Sequence, residues 1–159
     1  MTAGHDESGQ GGFEALPLGL LVFVVGALLI ANAWAAVDAK LAVSSAAREA
    51  TRTYVEAPAA LTADEAFAAA RSAAEAAFAA QRSSARRPDI RLVAGNGAAS
   101  HRCTRVTAEA TYRLPALTVP WVGGLGHGFT VRARHSEIVD PFRSGLSGTA
   151  TCDVGGNEP

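Results

Sequence analysis

From Leu16 to Val37 the chain reads LPLGLLVFVVGALLIANAWAAV, a run with no charged residue in which only Asn32 is strongly polar. About 20 such residues cross the hydrocarbon core of a bilayer as a helix, so the run predicts one transmembrane helix, assigned to residues 10–37 with its short lead-in. Pro17 falls in its first turn, where a missing N–H costs least, and Gly19 and Gly26 are small enough to let another membrane helix come close. Trp34 suits the far membrane interface, where amphipathic rings collect.

Past Val37 the period stays helical and becomes amphipathic. Val43, Ala47, Ala50 and Tyr54 recur on one face, with Ser45, Glu49, Arg52 and Glu56 on the opposite one. Pro58 ends this helix, and Thr62 with Glu65 has the capping-box spacing that starts another. The second helix is expected to run to about Arg82, packing Phe67, Ala70, Ala74 and Phe78 inward and leaving Asp64, Arg71, Glu75 and Arg82 on a charged flank. After the SSARRP break the period drops to two. In RVTAEATYRL, Val106, Ala108, Ala110, Tyr112 and Leu114 alternate with polar residues, the pattern of a half-buried strand. IRLVAG before it and FTVRARHSEIV after it predict further strands, WVGGLGHG predicts a loop, and the Gly-rich segment 144–159 predicts a flexible tail, ordered only near Cys152. The expected class is therefore α+β: a long N-terminal transmembrane helix continuing into an amphipathic helix, a second helix, then a small antiparallel sheet, with the domain occupying 38–143.

Composition narrows the function classes. The 159 residues leave room for one modest domain beside the anchor, and 48% hydrophobic but only 6% aromatic content means a core built largely of Ala, Leu and Val. A net charge of −1, with no run of Lys or Arg, offers nothing to attract nucleic acid, and no nucleic-acid partner is expected. Cys103 and Cys152 form an even pair well downstream of the apolar run, and in a small domain outside the cytoplasm such a pair reads as a disulfide.

A cleaved secretory signal would carry a basic n-region and a shorter apolar core, and this chain has neither. Just upstream of the run, SGQGGFEALPL places Glu14 at its edge, five positions after Gly9. A Gly, a short spacer, Glu as the fifth residue after it and then an apolar helix resemble the class III signal of type IV prepilins and pseudopilins. The chain as a whole is most similar to TadE-like minor pilins of the Flp or tight-adherence type, through Pro17, the post-membrane segment LAVSSAAREATR around Arg48 and Glu49, and the strand-like C-terminal part. That resemblance implies a leader of residues 1–9, cleavage after Gly9, Gln10 as the mature N-terminus, and Glu14 as a residue of both processing and assembly. It also implies partners: a prepilin peptidase, other pilins or pseudopilins, an inner-membrane assembly platform and the lipid bilayer. A physical reason for the glutamate exists, because a carboxylate at the membrane rim is costly unless it meets an opposite charge, such as the N-terminal amine of an adjoining subunit.

Charge flanks oppose this topology. Residues 1–14 contain no Lys or Arg, Asp6 and Glu7 are acidic, and Lys40, Arg48 and Arg52 follow the span, so the positive-inside rule alone would put the C-terminal domain in the cytoplasm. The Gly9 to Glu14 spacing and the late cysteines place it outside.

Catalytic chemistry is not expected. His101, Cys103, His127, His135 and Cys152 lack ligand spacing, so neither metal nor cofactor is anticipated. GGLGHG lacks the strand-to-helix setting and the lysine of a phosphate loop, and no nucleophile elbow positions a serine. The run LPALTVPWV, ending at Trp121, is a candidate contact surface; Trp121 covering the sheet core is the equal alternative. The sequence thus predicts a structural or initiating pilin-like subunit, with an unprocessed single-span protein bearing a binding domain as the second hypothesis.

Overall fold

A computed structural model of the chain describes residues 11–82, 86–95, 101–119 and 121–152. The first helix, α1 (Gly11–Val55), is a single element of 45 residues, about 67 Å long at 1.5 Å per residue. It begins early enough to place Pro17 within the helix, beyond the first turn where the sequence had put it. The ring therefore removes one intrahelical hydrogen bond, a loss that apolar helices tolerate when local backbone adjustments restore the partner.

The two halves of α1 differ in what covers them. None of its most apolar 18-residue window is buried, whereas from Ala39 onward the helix is the central rod of the domain. Ala39, Ala42, Val43, Ala46, Ala47, Ala50 and Tyr54 are all buried, two neighbouring positions per turn, because α2 (Ala63–Gln81) covers one side and the sheet the other. Alanine at most of these positions lets three backbones approach closely, and this is how a chain poor in large side chains still closes a core. Thr51 is buried too, and its hydroxyl is satisfied within the helix by the carbonyls of Ala47 at 3.0 Å and Arg48 at 2.9 Å.

At the start of α2 the capping box is formed. The Thr62 hydroxyl accepts from the Glu65 N–H, and the Glu65 carboxylate accepts from the Thr62 N–H at 2.8 Å. The carboxylate also accepts from the Thr62 hydroxyl at 2.8 Å, and its two bonds to Thr62, the backbone one first, hold the Glu65 carboxyl below its ordinary pKa. The buried stripe is Ala66, Ala70, Ala74 and Phe78. Phe67, expected inward, is only partly buried: the helix turns its Ala stripe to α1 for close approach, and Phe67 packs at the margin of the cluster that holds Tyr54 and Ala70.

The main sheet is antiparallel in the order β1 (Asp89–Ala94), β2 (Arg105–Leu114), β5 (Phe129–Ile138). Its register sets Ile90 opposite Ala110, and Ala110 opposite Ala133. The alternation in β2 is the predicted one, with Val106, Ala108, Ala110, Tyr112 and Leu114 all buried. Between β2 and β5 the chain makes a small hairpin, β3 (Leu117–Val119) paired with β4 (Gly123–Leu125). Part of WVGGLGHG is therefore strand, although the sequence predicted a loop; glycines hide strand pairing from a pattern of side chains. Gly128 returns the chain to β5 at φ +64°, and a Cβ there would meet the Leu114 carbonyl oxygen at 2.1 Å, so only glycine fits.

The segment after Ser144 is held to the domain not only at Cys152 but also at Leu146 and Ser147. Leu146 is buried in a cluster with Tyr54, Val106 and Val139, and the Arg102 N–H donates to the Ser147 carbonyl at 2.9 Å. Its apolar anchor is one leucine, too little for a pattern to reveal. Residues 153–159 lie outside the described residues.

Arg143 closes the far end of α1. Its guanidinium donates to the carbonyls of Val55, Glu56 and Ala57, the Glu56 contact at 3.0 Å. These carbonyls have no intrahelical partners and carry the negative end of the helix dipole. Arg143→Ala is expected to cost about 2 kcal/mol of domain stability, with Arg143→Lys recovering less than half because a point charge cannot serve three carbonyls. Denaturant unfolding of the full-length protein in lipid nanodiscs checks both values.

Candidate functional site

The surface to explain is the uncovered half of α1 and the edge of the domain beside it. Leu18, Val22, Phe23, Leu29, Ile30 and Trp34 are each between 61% and 73% exposed, a continuous apolar surface far larger than a soluble monomer leaves bare. Nothing lies within 4 Å of where a Cβ would stand at Gly19 or Gly26, so both positions are open to a neighbouring helix. One helix near the N-terminus is thus long and apolar enough to cross a membrane.

Of the residues singled out upstream, Gly9 and Gln10 lie outside the described residues. Glu14 falls within α1, in the turn before the apolar run, and its side chain is also outside the description.

Where the apolar run ends, three contacts fasten the domain to α1 in order along the helix. Asn32, the single strongly polar residue of the run, donates from Nδ2 to the Thr118 carbonyl at 3.3 Å and accepts at Oδ1 from the Thr118 N–H at 2.7 Å. The second Nδ2 hydrogen goes to the Leu28 carbonyl at 2.8 Å. Both amide hydrogens and the amide oxygen are therefore used, and the hairpin is tied to the helix. One turn on, Arg82 donates to the Ala35 carbonyl at 3.2 Å and to the Asp38 carboxylate at 3.0 Å, with its guanidinium carbon 5.5 Å from the Tyr112 ring centroid. Next, the Lys40 ammonium donates to the Arg132 carbonyl. The hairpin, the C-terminal end of α2 and the start of β5 consequently share the end of the domain nearest the apolar helix.

Nothing in comparisons with protein-family models, curated proteins or solved structures matches this chain. What it does is therefore read from its own geometry.

Trp121 does not cover the sheet core. It is fully exposed at the turn of the β3–β4 hairpin, at φ 63°, with Val122 and Leu125 exposed beside it. At the opposite end of the domain Cys103 and Cys152 are joined in a disulfide, their Cα atoms 5.2 Å apart. The ten-residue strand β2 separates the bridge from the hairpin by roughly 33 Å. His101 shares a hydrogen bond with Ser147 at 2.9 Å and His135 one with Glu137 at 3.1 Å. Among the described residues no three His, Cys, Asp or Glu side chains gather as metal ligands would.

Two residues of this arrangement escaped the sequence reading. Asn32 was noticed and given no role, although a polar side chain in an apolar helix signals a partner by its cost alone. Arg143 left no local signal, since the helix end it caps is distant in sequence.

Proposed function

We propose that this chain is a membrane-anchored, pilin-like subunit that acts by assembly: a structural or initiating minor pilin or pseudopilin of a Flp or tight-adherence pilus, or of a related secretion apparatus. The observation that carries the reading is α1 itself, whose first half is apolar and bare while its second half is the core rod of an α+β domain. Such a helix stores the subunit in a bilayer and, once extracted, offers the same apolar surface to copies of itself. The Gly9 to Glu14 spacing supplies the processing signal, so the mature chain begins at Gln10. The domain lies outside the cytoplasm, where a disulfide persists. Its partners are then a prepilin peptidase, an inner-membrane assembly platform and other pilins, and the chain performs no catalysis.

A second reading rests on the acidic leader and on Lys40, Arg48 and Arg52 following the span: a single-span protein, unprocessed, whose domain binds a partner. Glu14 separates the two. Glu14→Ala removes a charge from the membrane rim, so the variant should reach the membrane at wild-type level. If the carboxylate pairs with a neighbour's terminal amine, its loss leaves a buried charge alone, a defect of roughly 3 to 5 kcal/mol. Incorporation into sheared surface filaments should then fall at least tenfold, with intact mass showing a wild-type chain that starts at Gln10. Full-length mass together with normal behaviour of the variant would leave the second reading standing.

A further inference from the structure

We propose that the β3–β4 hairpin is a second membrane-contacting element, its Trp121 turn seated in the headgroup boundary of the same bilayer that α1 crosses. The proposal rests on the reading of α1 as a membrane span.

Depth is the first argument. The apolar run from Leu16 to Val37 is roughly 33 Å long as a helix, and Asn32 stands roughly 7 Å inside its Val37 end. The hydrocarbon core is about 30 Å thick with an interfacial layer of about 5 to 7 Å on each side. With the run centred on that core, Thr118, bonded twice to Asn32, lies roughly 6 Å inside the boundary between acyl chains and headgroups. Trp121 follows so closely that at most about 11 Å separates the two Cα atoms.

Composition agrees with that depth. From Pro115 to Gly126 the chain reads PALTVPWVGGLG, with no charged residue; the nearest arginines are engaged by the domain, Arg113 with the His127 carbonyl and Arg132 with the Glu109 carboxylate. An uncharged tip with an aromatic turn is the arrangement of an interfacial element.

The third argument is cost. The Val122 N–H donates to the Val119 carbonyl at 3.3 Å, closing a turn in which Trp121 takes the left-handed backbone that glycine ordinarily fills. A tryptophan there is strained and, at 103% exposure, covers nothing of its own chain. A lipid interface is where its amphipathic ring is favoured. The Asn32 pairing fits the same place, because it satisfies a polar side chain and a peptide group that would otherwise face acyl chains.

The test uses the full-length protein at low protein-to-lipid ratio in phosphatidylcholine–phosphatidylglycerol vesicles whose acyl chains are brominated near the headgroup or near the chain end. Trp34→Phe leaves Trp121 as the reporter, and Trp121→Phe leaves Trp34. Trp121 emission should be blue-shifted, quenched at least twofold more by the shallow bromines than by the deep ones, and insensitive to aqueous iodide. Asn32→Leu, which leaves α1 at least as apolar, should at least halve the shallow quenching of Trp121; unchanged quenching would overturn the tie. Iodide quenching of Trp121 while Trp34 is quenched by lipid would overturn the hairpin proposal and leave the span intact. Lipid quenching of neither would defeat the span itself. Shielding of Trp121 that appears only as the protein-to-lipid ratio rises would assign the hairpin to contact between copies instead, and overturn the lipid assignment.

Discussion

Replacing Cys103 and Cys152 together by Ser is expected to remove about 4 kcal/mol of domain stability, the loop-closure entropy for a bridge with a sequence separation of 49. A domain of this size has roughly 5 to 15 kcal/mol in total, so the apparent midpoint should fall by roughly 15 to 30 °C. The loss should begin locally. The bridge holds the 144–152 segment against the end of the sheet, where the Cys103 N–H donates to the Val139 carbonyl at 3.0 Å and the Val139 N–H to the Thr104 carbonyl at 2.9 Å. Hydrogen exchange on the full-length protein in nanodiscs should show protection lost first around Thr104, Val139 and Leu146, with the Asn32 end of the domain unchanged. A total loss below about 1 kcal/mol would mean that Leu146 and the Ser147 bridge hold the segment without help from the covalent bond.

Phe78→Ala should cost about 3 to 5 kcal/mol, near the top of the range for truncating a core aromatic. Phe78 is 2% exposed, and its ring lies 5.0 Å from that of Tyr112, so it is the large side chain through which α2 reaches the sheet. Its other neighbours in the core cluster are mostly alanines. Alanines have no rotamers with which to fill a hole, so the cavity should stay open and the cost should stay high. Phe67→Ala, at the margin of the second cluster, should cost less than half as much. Denaturant midpoints of the two variants decide the ranking, and equal costs would mean that the Ala stripe of α2 and not Phe78 carries the contact.

The long-period features of this fold were legible in the chain. An uncharged apolar run, alanines and Tyr54 at helical spacing, the Thr62 and Glu65 box and the alternation of RVTAEATYRL each report a local decision that a few neighbouring residues make together, and each is found where the pattern puts it. The pairing of Cys103 with Cys152 was legible only because two cysteines allow one bridge. Errors fell where glycine or a lone residue carried the information. The β3–β4 pairing has a strand of Gly123, Gly124 and Leu125, which offers no alternation to read, and Leu146 is the one buried hydrophobic residue that residues 144–152 add to the core.

By itself, then, the sequence determined the apolar helix, the order and type of the main elements and the composition of the core, because hydrophobic periodicity and capping act over a few residues. The tertiary structure decided which side chains serve across distance. Asn32 receives its partner 86 positions away and Arg143 closes a helix end across a comparable separation. Trp121 ends outside the core, because the register of β2 against β5 fills the sheet face with Tyr112, Leu114 and Val131 and leaves the hairpin beyond it, beside the apolar half of α1. Such pairings depend on how rigid elements are packed against one another, and no local pattern encodes the distance they span.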